Sequence, residues 1–290
     1  ALLVVVLFAG GIELFARRDL GVMTGLPVPG LPRATLGIRG PVGRAFGDQL
    51  PIALGWGVGI GFFGFMMAAV SRTFADEMIR DFPTFLEIIQ AVFPGVDMAS
   101  SGWFLQLLFV ELGLIIVGFA AATFVGKWAS DEGSRRLEMV LAAPLTRSRW
   151  VIAGGLGAIG AAAVTTIVFA AGIALGSAFG GSEVVTPTVG SLALFAYGAA
   201  MVGIGVAIGG LWRTSWAAEI VAGFVIATFL VNLLAPALDL PDWVHQLALT
   251  AHLGQPMIGA WDPVGLVACA VIAIGGILLG AWGMARRDVS

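Results

Sequence analysis

Six stretches of this chain, residues 50–70, 103–125, 151–176, 191–210, 218–234 and 264–284, are runs of apolar side chains of membrane-spanning length. A bilayer's hydrocarbon core takes about 20 helical residues to cross. Backbone N–H and C=O groups find no water there, so only closed barrels and helices satisfy them, and runs this long and continuously apolar read as helices. The fold class that follows is all-α, a polytopic membrane helix bundle. Composition agrees: 59% of the residues are hydrophobic and 11% charged, against about 25% charged in a soluble domain. Cys269 is the one cysteine, so no disulfide can form within the chain.

A shorter apolar run, residues 1–14, ends in Ala16-Arg17-Arg18-Asp19. The same four residue types, Ala285-Arg286-Arg287-Asp288, close the last long run 269 residues later, and Gly11 and Gly280 keep the same offset. An internal repeat is expected, with residues 1–20 as the last transmembrane helix of a preceding copy whose other helices are missing. The chain would then be half of a longer polypeptide. Chance recurrence of an Arg-Arg span terminus is the alternative. Residues 21–49, with Arg33, Arg39 and Arg44 among prolines and glycines, read as a cytoplasmic linker leading to an interfacial elbow helix near 42–49. Residues 50–290 form the six-helix unit.

With that helix, seven crossings alternate, and the basic residues report the sides. Arg17, Arg18, Arg33, Arg39, Arg44, Lys127, Arg135, Arg136, Arg147, Arg149, Arg213, Arg286 and Arg287 fall on one side; Arg72 and Arg80 fall on the other. Lys and Arg gather in cytoplasmic loops, so the C-terminus is expected in the cytoplasm of a bacterial plasma membrane. Trp103, Trp128, Trp150, Trp212, Trp216, Trp243, Trp261 and Trp282 lie near span ends, where an aromatic belt sits. On the external side, Phe82, Phe85, Ile88 and Ile89 are spaced as an amphipathic helix among acids.

The densest charged island, residues 126–150, lies between the second and third runs. Ser130 or Asp131 can cap a short helix there. Asp131 with Arg135 and Glu132 with Arg136 are i,i+4 pairs, acid first. Leu137, Val140 and Leu141 make an apolar face, and Pro144 stops the helix. A one-sided charged helix over 130–144 is a shape for docking; a solvated loop helix with no partner is the alternative.

These residues also carry a resemblance. Asp131-Glu132, Ser134, Arg136-Leu137-Glu138, Val140-Leu141-Ala142-Ala143-Pro144, Arg147 and Trp150 resemble a signature of bacterial ATP-binding-cassette type-2 exporter permeases. Among these the segment looks most like the polyketide-antibiotic (tetronasin-type) multidrug exporter branch. Members often place Gly directly before the Arg-x-Glu, where this chain has Arg135, with Gly133 nearby. The resemblance implies a six-helix exporter transmembrane unit plus one preceding helix, with 130–144 as the cytoplasmic coupling helix. Asp131, Glu132, Arg135, Arg136, Leu137, Glu138, Val140, Leu141, Pro144 and Arg147 would meet an ATPase subunit, expected as a dimer. It implies alternating access driven by ATP and Mg on that partner, moving hydrophobic or amphipathic drugs and antibiotics out of the cell.

The chain itself has no G-x-x-x-x-G-K-[ST] phosphate loop: Lys127, its one lysine, follows Gly126 but precedes Trp128. It is therefore not expected to be an enzyme or to hold a cofactor. Gly155-x-Gly157-x-x-Gly160 matches a dinucleotide fingerprint but lies within a span, with no strand before it; close helix packing explains it. Glu111 is the acid well inside a span. An ionised carboxylate in lipid costs several kcal/mol, so it faces a path or partner, or stays protonated against a neighbouring helix. Thr165, Thr166, Thr228 and Asn232 are further candidates for a polar path, and interhelical hydrogen bonding explains them equally. His245 and His252 lack ligand-spaced companions, so no metal site is expected. No catalytic constellation is seen, and the arginines read as topology signals and docking contacts, not nucleic-acid contacts. Rival readings are an ion-gradient-driven secondary transporter using Glu111, and a non-transporting membrane scaffold.

Overall fold

The structure is a computed structural model, and it describes residues 40–92, 102–133, 145–212, 214–234 and 252–287. Nine α-helices are found among them: α1 (Gly40–Asp81), α2 (Pro83–Val92), α3 (Trp103–Gln106), α4 (Leu114–Gly133), α5 (Arg147–Gly180), α6 (Val185–Ser191), α7 (Ala193–Leu211), α8 (Ala217–Leu234) and α9 (Pro263–Arg286). A π-turn, Leu107–Glu111, joins α3 to α4. Six helical stretches are long and apolar enough to cross a membrane. The chain is a polytopic helical bundle.

The bundle is built inside out relative to a soluble one. On α1 the inward positions are Ala53, Gly57, Gly61, Gly64, Ala68, Ser71 and Ala75, recurring every three or four residues. Its outward face carries Val58, Phe62, Phe63, Met66, Val70 and Phe74. Lipid solvates large apolar groups as well as a protein core does, so burial of size drives nothing here. Close backbone approach, with its dispersion and weak hydrogen bonds, drives association instead. α1 therefore lies along α5, and α9 along α7. A Cβ added at Gly172 of α5 would overlap the Gly61 carbonyl of α1, and one at Gly203 of α7 would stand 2.6 Å from Ala273 Cα of α9. At both crossings only hydrogen fits.

Several boundaries differ from the sequence reading, each for a local reason. The elbow at 42–49 and the span at 50–70 are one helix. Pro51 lies within it and removes one backbone bond, but does not end the helix, as happens where neighbouring elements support a span. Gln49, nearly fully buried, donates to the Phe124 carbonyl of α4 at 2.8 Å and pins α1 there. At 42 residues α1 is about 63 Å long, twice the hydrocarbon thickness, so its far end projects beyond the membrane. There α2 folds back and buries Ile89 with Ala75, Trp103 and Leu107.

The expected break before the charged island is also absent. α4 runs unbroken to Gly133, so Ser130 and Asp131 are interior residues, not helix caps. Ser130 Oγ donates back to the Lys127 carbonyl at 2.7 Å, the local bond a mid-helix serine makes. The cap belongs to α5: Thr146 accepts from the Arg149 N–H at 3.3 Å. α5 then runs past the expected end at 176 to Gly180. Gly181, at φ +65°, closes it in the left-handed conformation glycine favours. The stretch between the third and fourth apolar runs, 177–190, is mostly helical, ending in α6.

Residues 254–261, just before α9, fold as a hairpin. β1 (Gly254–Gln255) pairs antiparallel with β2 (Ala260–Trp261) around a 3-10 turn at Pro256–Ile258. Asp262 then caps α9, accepting from the Val264 N–H at 2.9 Å, with Pro263 opening the helix.

Candidate functional site

Among the described residues, networks of polar contacts gather at the two ends of the bundle, with isolated threonine hydrogen bonds between them. At the hairpin end the centre is Gln106, which is completely buried. Its Oε1 accepts from the Met257 N–H at 3.1 Å, and its Nε2 donates to the Gly254 carbonyl at 3.5 Å. One amide thus clamps the hairpin to α3, while Gly102 and Gly190 allow the Pro256–Met257 backbone to lie against them. The same Nε2 donates to Glu111 Oε1 at 3.4 Å.

Glu111 and Gln106 meet because the helix between them takes one extra residue into its turn. Leu112 N–H donates to the Leu107 carbonyl at 3.0 Å, an i+5 bond. In a regular α-helix residues five apart point to different faces; the π-turn brings them towards one side. Such bulges are costly and recur at functional positions. Glu111 is half-buried, the acid the sequence singled out. Gln106 was missed, although it is a polar residue within the same apolar run, five positions before that acid.

Of the other proposed path residues, Thr165 and Thr166 line a small interior cavity with Phe124, Phe169, Leu194 and Gly198. Its volume is about 10 Å3, room for about one water. Thr165 Oγ1 donates to the Ala53 carbonyl of α1 at 3.1 Å, and Thr166 Oγ1 to the Ala162 carbonyl at 2.9 Å. Thr228 bonds the Phe224 and Val225 carbonyls and the Tyr197 side chain. Asn232 lies half-buried near the end of α8. The structure brings Thr165 and Thr166 together and sets Glu111, Thr228 and Asn232 at other places.

At the opposite, arginine-rich end, the centre is Glu132 in the last turn of α4. It pairs with Arg287 and accepts from Thr214 Oγ1. Arg287 Nη1 also donates to the Trp212 carbonyl at 2.6 Å and to Gly209 at 3.2 Å, satisfying open carbonyls where α7 ends. Arg147, at the start of α5, donates to the Arg287 carbonyl at 2.6 Å. Ser148 bonds the Ala281 carbonyl at 3.2 Å. Beneath this knot Trp128 stacks on Trp150, ring centroids 5.1 Å apart, in a slot that Gly154 and Gly209 leave open. The ends of α4, α5, α7 and α9 are thus tied at one point.

Of the proposed docking residues, Asp131, Glu132 and Arg147 are described; Arg135, Arg136, Leu137, Glu138, Val140, Leu141 and Pro144 lie outside the described residues. Glu132 and Arg147 turn inward to the knot. Arg287 and Thr214 were missed, because a terminal arginine reads from sequence as a topology signal. Among the described residues no group of three His, Cys, Asp or Glu could hold a metal ion.

Two comparisons bear on this architecture. The family described as multidrug efflux system permease Rv1217c, C-terminal domain, matches residues 38–284. The multidrug efflux system permease protein Rv1217c of Mycobacterium tuberculosis is 26% identical over 286 residues, covering 96% of this chain and 50% of that protein. The chain spans about half the length of that relative.

Proposed function

From the premise that this chain belongs to the family of the Rv1217c-type multidrug efflux permease C-terminal domain, we propose that it is a permease unit of an ATP-driven exporter. The observation that carries this reading is that the match runs across the whole six-span bundle, 38–284. The motor is a separate ATP-binding-cassette subunit, expected as a dimer, which holds ATP and Mg. The cargo is hydrophobic or amphipathic compounds, with polyketide antibiotics of the tetronasin class as first candidates. The arginine-rich end and the C-terminus face the cytoplasm of a bacterial plasma membrane, and the 130–144 segment of the charged island docks on the motor. Residues 1–20 belong to a preceding unit, with 21–49 as the linker and elbow between them. The two units alternate access between the membrane's sides.

Copurification and ATP-driven efflux in reconstituted vesicles test the reading. Leu141→Asp puts an unpaired charge into the docking face, where a buried apolar anchor contributes about 1–3 kcal/mol. The motor should dissociate while the bundle stays folded. Copurification and drug-stimulated ATP hydrolysis at the unsubstituted level would remove the island from the coupling role.

One observation favours a second reading. Glu111, held by Gln106 at a π-turn inside a span, is placed as a proton or cation site would be in a gradient-driven transporter. Efflux that follows a pH gradient without ATP would select that reading.

A further inference from the structure

We propose that the seam between α1 and α4 is a binding site for an uncharged apolar guest, an aryl or alkyl group supplied by the bilayer, which seats behind Phe63 against Phe109 and Phe169. The seam is bolted at its arginine-rich end. Gln49 Nε2 donates to the Phe124 carbonyl at 2.8 Å, and Trp56 Nε1 to Thr123 Oγ1 at 2.9 Å. Towards the hairpin end no such side-chain bolt can form, because residues 57–70 of α1 carry no polar side chain, and residues 112–122, leading into and along α4, carry none either. Dispersion alone closes the seam there, and an apolar guest offers the same dispersion to both surfaces.

Behind this unbolted stretch the packing is incomplete. A cavity of about 10 Å3, reached by Phe63, Phe109, Gly113 and Ile116, adjoins the one beside Thr165 and Thr166; the two share Ile60, Val117, Phe169 and Leu194. The gap falls where the π-turn ends at Glu111 and α4 begins at Leu114. Side chains on either side of that break do not follow one helical register, and Gly113 has none to fill the space. Three rings lead inward from the lipid face. Phe63 is 38% exposed and stands edge-on to Phe109, centroids 5.6 Å apart. Phe109 in turn stands edge-on to Phe169 at 4.9 Å, and Phe169 is 1% exposed. As closed here, each cavity has room for about one water, so a guest must turn Phe63 aside and part α1 from α4 beyond Trp56. Only apolar contacts are lost, and the guest replaces them. No ionisable side chain lines either cavity, so a charged guest would lose its hydration without gaining a partner. The inference rests on the exporter reading only in making such a guest a cargo.

The test is photolabelling of the whole protein in lipid vesicles with trifluoromethyl phenyl diazirine, an uncharged aryl carbene source, read residue by residue by mass spectrometry. Insertion is expected at Phe169 and Val117, inside the bundle, as well as at the lipid-facing Val58 and Phe62. Val117→Ile adds one methylene where the two cavities meet. It should lower the labelling of Phe169 about 10-fold, the scale on which an apolar pocket senses one methylene. It should also raise the melting midpoint and leave the labelling of Val58 unchanged. Leu194→Val removes one methylene from the same place and should do the reverse, and it reads the site alone if Val117→Ile does not fold. A second arm carries the diazirine on an acyl chain of phosphatidylcholine. Insertion at Phe169 from that probe assigns lipid tails to the seat; insertion from the aryl probe alone assigns it to compounds dissolved in the bilayer. If neither probe reaches Phe169 or Val117, or if the substitutions move the midpoint and not the labelling, the cavities are packing gaps and the inference is overturned. No ATPase enters the measurement, so that failure leaves the exporter reading standing.

Discussion

The two polar ends of this bundle solve the same problem with opposite chemistry. At the hairpin end a single neutral amide, Gln106, fully buried, holds the hairpin through backbone groups. At the arginine-rich end a charged pair about one-fifth exposed holds four element ends. A neutral hydrogen bond in a dry site loses its partner without compensation, so it favours permanence. A charged contact at a wet margin exchanges protein for water at modest cost. The difference assigns a fixed end and a movable end to a bundle whose middle offers little polar resistance to either.

The largest effect is expected from breaking the fixed end. Gln106→Leu leaves the Met257 N–H and the Gly254 carbonyl without their partner, and each such buried group costs about 1–3 kcal/mol. The apparent melting midpoint in detergent should fall more than for any substitution in the knot. Hydrogen exchange should show the hairpin opening first. A hairpin that stays protected would mean that the Gly102 and Gly190 contacts hold it alone.

A smaller loss is expected at the movable end. Arg287→Ala removes a partly hydrated pair and two carbonyl contacts, a cost on the order of 1–2 kcal/mol after discounting for exposure. The difference from the unsubstituted protein should shrink as salt is raised, since screening weakens what the substitution removes. The Gln106→Leu difference should hardly respond to salt. Equal salt dependence at both ends would erase the contrast between them.

The smallest effect on stability is expected from Glu111→Gln. Its contact with Gln106 is long, 3.4 Å, and a glutamine carbonyl can still accept it, so the melting midpoint should move by less than the equivalent of about 0.5 kcal/mol. Export of cationic compounds should weaken if the carboxylate faces the path, while neutral compounds leave at the same rate. Unchanged export of both kinds, with Glu111→Leu destabilising, would assign Glu111 to holding the hairpin end.

The sequence alone determined that this chain is a bundle of six long apolar helices, because backbone groups in hydrocarbon leave a run of that length few other forms. It also marked Glu111, because a charge within such a run is conspicuous against its surroundings. What it could not carry was register and partnership. The elbow and first span merge into α1, and α4 runs through Ser130, because tertiary packing outweighs the weak preferences of single polar residues for helix ends. Gln106 acts on Glu111 because a π-turn changes which residues share a face, and no periodicity announces that extra residue. Glu132 meets Arg287 across 155 positions of chain, and Thr214 across 82. Their pairing depends on where four helices end relative to one another, and those ends are set by glycine crossings deep in the bundle. The local pattern places each charge at a membrane surface; only the packed helices decide which charge it meets.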